Sequence, residues 1–233
     1  MAIKNALGGC ALTGFLLLSG TAQAASLIIV EARGIGLKPG TSIDSAKPLM
    51  LKQGQHVTLI SDSGATLTID GPYDQPPTAG GQGKSLGSTL AALATEHNAR
   101  TGEAGVTRGA STNVLPDAWL VDVTHSGSAC LREKQQPVFW RPDANAVSAL
   151  TVMPADRSWK SQAVWPAGSA RLSVTTDVPV HGGAAYVLVF NGSQYALAVN
   201  TLPSTLANDS MRAAWMVRKG CEAQAEALLR PRQ

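Results

Sequence analysis

Apolar and polar positions alternate with a period of two over much of this chain, the pattern of strands that bury one face. The clearest case runs from 56 to 60 and from 65 to 70, broken at Asp62-Ser63-Gly64. Pairing Ser61 with Ala65 across a three-residue loop sets Val57 opposite Ile69 and Leu59 opposite Leu67 on one face. Thr58 then faces Thr68, and His56 faces Asp70, on the other. This predicts a sheet with one buried and one wet side. Upstream, Ser26-Leu27-Ile28-Ile29-Val30-Glu31-Ala32 reads as a strand. Pro48-Leu49-Met50-Leu51 reads as a shorter one, after the turn signal Lys38-Pro39-Gly40. Residues 25–73 are thus expected to form a small β module.

The alternation lapses from 74 to 117. Gln75-Pro76-Pro77-Thr78-Ala79-Gly80-Gly81-Gln82-Gly83 is a loop by composition, and 100–113 is rich in Gly, Thr and Ser. Only 86–98, with Leu86, Leu90 and Leu93 along one side, reads as a short helix. The stretch is predicted to be a Gly/Pro/Ser-rich, partly disordered linker between two domains.

Alternation resumes in short runs at 119–124, 129–131, 138–140, 149–153, 162–165, 170–175, 184–190 and 195–199. Their close spacing between turn residues predicts a β-sandwich or open barrel. Asn191-Gly192 is a strong hairpin signal, because both central residues of a type I′ turn need positive φ. That turn sets Leu188 opposite Tyr195 and Tyr186 opposite Leu197. Both faces of the hairpin are largely apolar, which predicts a central position with cover on two sides. Thr205 is the expected N-cap of a helix over 206–219, Gly220 suits its C′ position, and 221–229 continues as a second helical piece. The fold expected is mainly β: a small N-terminal β module, a linker, and a C-terminal β-sandwich-like domain, 118–233, with a terminal α-helix.

The first residues change where this chain is expected to work. Lys4 precedes an apolar run densest at Phe15-Leu16-Leu17-Leu18, and Ala22-Gln23-Ala24 follows as an A-x-A site. These are the parts of a cleavable export signal over 1–24, with cleavage expected after Ala24. The run is shorter than the roughly 18–20 residues a bilayer span needs. Leu7-Gly8-Gly9-Cys10 has the look of a lipidation box, but Cys10 precedes most of the apolar run instead of following it. No later segment is apolar enough to span a membrane, so the processed chain is expected in the periplasm or secreted. Charged residues make up 15% with a net charge of +3. No segment concentrates Lys and Arg with aromatics, which argues against nucleic acid as a partner. Cleavage leaves Cys130 and Cys221, an even count that predicts one disulfide in an oxidising compartment.

Candidate chemistry is sparse. Gly83-Lys84-Ser85-Leu86-Gly87 matches the G-x-S-x-G nucleophile elbow, yet a Pro/Gly loop stands where that motif needs a buried strand. The P-loop fails because Thr78 stands where its opening glycine belongs. His56, His97, His125 and His181 show no metal-ligand spacing, and no metal or other cofactor is expected. His125-Ser126-Gly127-Ser128 sets hydroxyls beside an imidazole only along a turn. His56 and Asp70 form the candidate cross-strand polar pair. All five tryptophans follow the linker. Trp119, Trp140 and Trp215 read as core, whereas Trp159 and Trp165 flank a polar segment and are the candidate ligand-binding surface.

Leu37-Lys38-Pro39-Gly40, Leu51-Lys52-Gln53-Gly54, Val57-Thr58-Leu59 and Gly64-Ala65-Thr66-Leu67-Thr68 resemble the FecR-type β module of exported bacterial proteins. FecR proteins signal across the inner membrane through a separate membrane segment, which is not expected here, so the resemblance does not imply that activity. The later part is similar to exported bacterial proteins of unknown function. It shares with them a W-x-V-D-V-x-x-S-G-x-x-C segment, Trp119 to Cys130, and a G-C-x-x-Q-A-x-x-L-L helix, Gly220 to Leu229. Both cysteines recur in that pattern, which implies their pairing and supplies no catalytic residue. The expected function is that of an exported, non-enzymatic binding or scaffold protein acting on an envelope protein partner. The alternatives are a glycan- or peptidoglycan-binding module using Trp159 or Trp165, and a small serine hydrolase centred on Ser85 or on Ser126 and Ser128.

Overall fold

A computed structural model describes residues 26–77, 82–85, 88, 114–174 and 178–231. The segment 1–24 expected to be an export signal, with Cys10 and Ala24, lies outside the described residues, as do His97 and, apart from Ser88, the helix expected over 86–98. The fold is mainly β, with three sheets and two short C-terminal helices.

The first sheet is built from β1 (Ser26–Arg33), β2 (Ser42–Asp44), β3 (His56–Ile60), β4 (Thr66–Asp70) and β5 (Gln82–Lys84), in the order β2-β1-β3-β4-β5. The β3–β4 register is the expected one, from His56↔Asp70 to Leu59↔Leu67. Pro48 to Leu51 makes only a single bridge, Leu51 to Tyr73, and β2 and β5 appear where the pattern signalled loop. β5 extends this sheet into the stretch read as linker.

The expectation of one wet face is corrected. Leu27, Ile29, Val57, Leu59 and Ile69 pack on one side, while Ile28, Val30 and Ile60 pack on the other against the C-terminal helices. Thr58 is itself fully buried. A bulge between Ile29 and Glu31 turns Val30 and Glu31 to the helix side, where Glu31 meets Arg218 at 3.5 Å. At the end of β4, Gly71 N–H donates to Gln55 O, and a Cβ there would stand 1.9 Å from the Lys52 carbonyl oxygen. Gly71→Ala is therefore expected to destabilise the protein by about 1–3 kcal/mol, read as a lowered urea midpoint with an unchanged slope.

The second part is a sandwich. Its five-stranded sheet has the order β10 (Ser161–Trp165), β9 (Ser148–Pro154), β12 (Ala185–Phe190), β13 (Ser193–Leu202), β7 (Gly127–Arg132). Its three-stranded sheet has the order β11 (Arg171–Ser173), β8 (Val138–Trp140), β6 (Leu120–Asp122). Val121, Val123 and Phe139 of the smaller sheet share one core with Leu150, Val152, Tyr186, Leu188 and Val199 of the larger. Asn191 and Gly192 both have positive φ, and the hairpin register is the expected one.

Helix α1 (Asp209–Arg218) starts at Asn208, whose side chain accepts from Met211 N–H. Thr205, the expected cap, donates its hydroxyl to Gly40 O instead. Helix α2 is Glu222–Leu229, and Gly220 between the two has φ +75°. α1 packs against Ile28, Val30 and Ile60 of the first sheet and Cys130 and Leu202 of the second, so one helix closes both halves.

Candidate functional site

Cys130 and Cys221 form a disulfide with Cα atoms 5.9 Å apart, both buried. Gln224, one turn along α2, clamps the same point: its Oε1 accepts from Cys130 N–H, and its Nε2 donates to Cys130 O and Ala118 O. Each polar atom of this buried amide has a partner, so the joint is structural.

A polar cluster gathers where β6 and β8 end. Asp122 Oδ2 lies 3.0 Å from His125 Nδ1, and Thr124 donates its hydroxyl to Asp122 Oδ1 at 2.6 Å. Thr124 also lines a cavity of about 170 Å³ with Arg141, Asp143, Ser148, Phe190 and Asn191. Arg141 is 1% exposed, and among the described residues no carboxylate lies within ion-pair distance of it. Its Nε donates to Ser169 O, one terminal nitrogen to Ser148 Oγ, and the other to Pro166 O and Ala144 O. The guanidinium also lies over the Trp165 ring, 5.0 Å from its centroid. The charge is spent on loop carbonyls and pins two turns. Four of its five N–H donors are engaged in this way, which leaves one of them for a ligand.

The sequence candidates do not converge. His56 Nδ1 lies 2.6 Å from Asp70 Oδ1 and its Nε2 3.2 Å from Thr58 Oγ1, so both ring nitrogens are engaged within the first sheet. Trp165 is 0% exposed, donates Nε1–H to Ser169 O and packs on Phe190, so it presents no ring to a ligand. Trp159 is half-buried against Tyr186. The alternation that placed these two beside a polar segment did not reveal that Trp165 points between the sheets. A strand, β5, does precede Ser85, contrary to expectation, but it is a three-residue edge strand and Ser85 is exposed. Ser126 Oγ accepts from Ala196 N–H, and Ser128 sits beside Gly220. No serine hydroxyl is hydrogen-bonded to His125 among the described residues. The exposed Asp156 carboxyl is held below its ordinary range by hydrogen bonds from Ser158 backbone and hydroxyl.

The second sheet offers a feature the pattern did not. The expectation that β12 and β13 are covered on both sides is corrected: Tyr186, Leu188, Phe190, Leu197 and Val199 are buried, but Ala185, Ala196 and Ala198 are exposed on the outer face. Val187 and Val189 beside them are half-buried, and Val164 of β10 is 69% exposed. The helices cover this face only at the Asn200–Cys130 end, where Gly220 lies over Ser128.

The chain matches no known protein family, no curated protein and no solved structure.

Proposed function

We propose that this chain is an exported, non-enzymatic binding protein of the bacterial envelope that engages a protein partner through the open face of its second sheet. The observation that carries the reading is that face. From Ala149 and Val164 across Met153, Val187 and Val189 to Ala196 and Ala198 its strand positions carry no charged side chain, with Thr151, Gln162 and Gln194 as polar members, and the largest apolar patch on a protein surface is often functional. The buried disulfide supports an oxidising compartment. No described helix is long and apolar enough to cross a membrane. The signal-like segment before Ala25 supports the periplasm, and the FecR-like residues support an envelope setting.

The test uses in-cell cross-linking followed by capture. The protein recovered from the periplasm is expected to begin at Ala25. Wild type and the remote control Met50→Glu, at a position 71% exposed in the first half, are expected to capture the same envelope protein. Val187→Glu is expected to lose it. Equal capture by all three rejects this face as the binding surface.

A further inference from the structure

The cavity of about 170 Å³ lies where β6, β8 and β12 end and β9 begins. Phe190 is its buried apolar wall, while Asp143, Ala146 and Asn191 are exposed, so the space opens to solvent. Which part of Arg141 meets this space follows from its bonds. The terminal nitrogen that donates to Pro166 O and Ala144 O has both N–H groups engaged, and neither acceptor lines the cavity. The other terminal nitrogen donates once, to Ser148 Oγ, and Ser148 does line it. The spare N–H of the guanidinium is therefore on the nitrogen beside the cavity wall.

The wall holds both kinds of hydrogen-bonding group. Ser148 accepts from Arg141, so its own proton is left to donate. Asn191 adds an exposed side-chain amide. Thr124 gives its proton to Asp122 Oδ1, so its oxygen is left to accept. Asp143 supplies a carboxylate, of which Oδ1 already accepts from Asn145 N–H.

Charge and size narrow the ligand. Arg141 is 1% exposed with no carboxylate at ion-pair distance among the described residues, and a buried cation without an anionic partner is costly. A ligand carboxylate on the spare N–H and the Ser148 hydroxyl supplies that partner in the form a guanidinium binds best. Asp143 repels a bare anion in the same cavity but attracts an ammonium. One cation and one anion on the wall thus match a ligand that carries both charges and no net charge. Benzene occupies a cavity of about 150 Å³, and alanine has the same number of non-hydrogen atoms. The end of a peptide chain has only one of the two charges.

We infer that this cavity binds a small free α-amino acid, its carboxylate on Arg141 and Ser148 and its ammonium on Asp143 and Thr124. The site is separate from the open face of the second sheet and does not depend on what binds there.

Nuclear magnetic resonance titration of the purified protein with L-alanine, acetate and ethylamine, read at the Asn191 side-chain amide, tests it. Alanine is expected to saturate with a Kd of about 1 mM or below. Acetate and ethylamine each lack one charge and are expected to bind at least about 10-fold more weakly. Asp143→Asn is expected to weaken alanine by about 3–5-fold and to tighten acetate, because the same carboxylate attracts an ammonium and repels an anion. Opposite shifts from one exposed substitution exclude misfolding as their cause. Ala146→Trp, at an exposed position on the wall, is expected to abolish alanine binding by filling the space. Arg141 is kept in both variants because it holds the 166–169 turn. Alanine that fails to saturate by about 20 mM overturns the inference. So does acetate that binds as tightly as alanine, an Asp143→Asn variant that moves both ligands in one direction, or alanine binding left unchanged by Ala146→Trp.

Discussion

Cys221→Ser is expected to lower the melting temperature by roughly 8–16 °C, from a loss of about 4 kcal/mol in a protein of this size. The bridge closes a segment with a sequence separation of 91. For such a loop the chain-entropy argument assigns about 4–5 kcal/mol, and losses for native bridges run about 2–5 kcal/mol. The structure also says what fails first. α2 is held to β7 by the disulfide and by Gln224, whereas α1 is additionally packed between two sheets. α2 should therefore become protease-sensitive before α1 or either sheet. Thiol titration of the unreduced, denatured wild type should find neither Cys130 nor Cys221 free. A melting shift below about 2 °C would show that helix packing alone holds the C-terminus.

Arg141→Met is expected to cost about 3–5 kcal/mol, comparable to the disulfide. Methionine fills similar space, so the loss comes from polar groups left behind. Ser169 O, Pro166 O and Ser148 Oγ each lose a charge-assisted partner at a part-buried site. Trp165 loses the cation over its ring as well. Arg141→Lys should recover only part of the loss, because an ammonium does not reproduce the planar fork that serves three segments at once. Guanidinium denaturation with the slope held common to all three proteins measures this. A loss below 1 kcal/mol for the methionine variant would mean that the 166–169 turn holds its shape without the guanidinium.

Part of the candidate surface was legible, and part was hidden for a definite reason. The register of β12 and β13 followed from Asn191-Gly192, because a two-residue turn leaves one way to pair its strands. The same register shows which residues share the outer face. It does not show whether that face is covered. Ala185, Val187, Ala196 and Ala198 are apolar, and in sequence an apolar open face and an apolar core face look alike. Arg141 carries no sequence signal of its role. It follows the strand 138–140 directly, and nothing in its neighbours signals that three loop carbonyls converge on it from residues 144, 166 and 169.

The sequence by itself determined the β class and the His56–Asp70 and Tyr186–Leu197 pairings, and it pointed to the Cys130–Cys221 bond. Those features rest on local pattern: side-chain alternation, turn residues and a cysteine count. Tertiary structure alone decided that Thr58 is buried, that Thr205 yields its cap to Asn208, that Trp165 faces inward, and that α1 closes both halves. Each of these depends on which distant element lies against a residue. Period and composition carry no record of that, because a side chain's burial is a property of its neighbours in space.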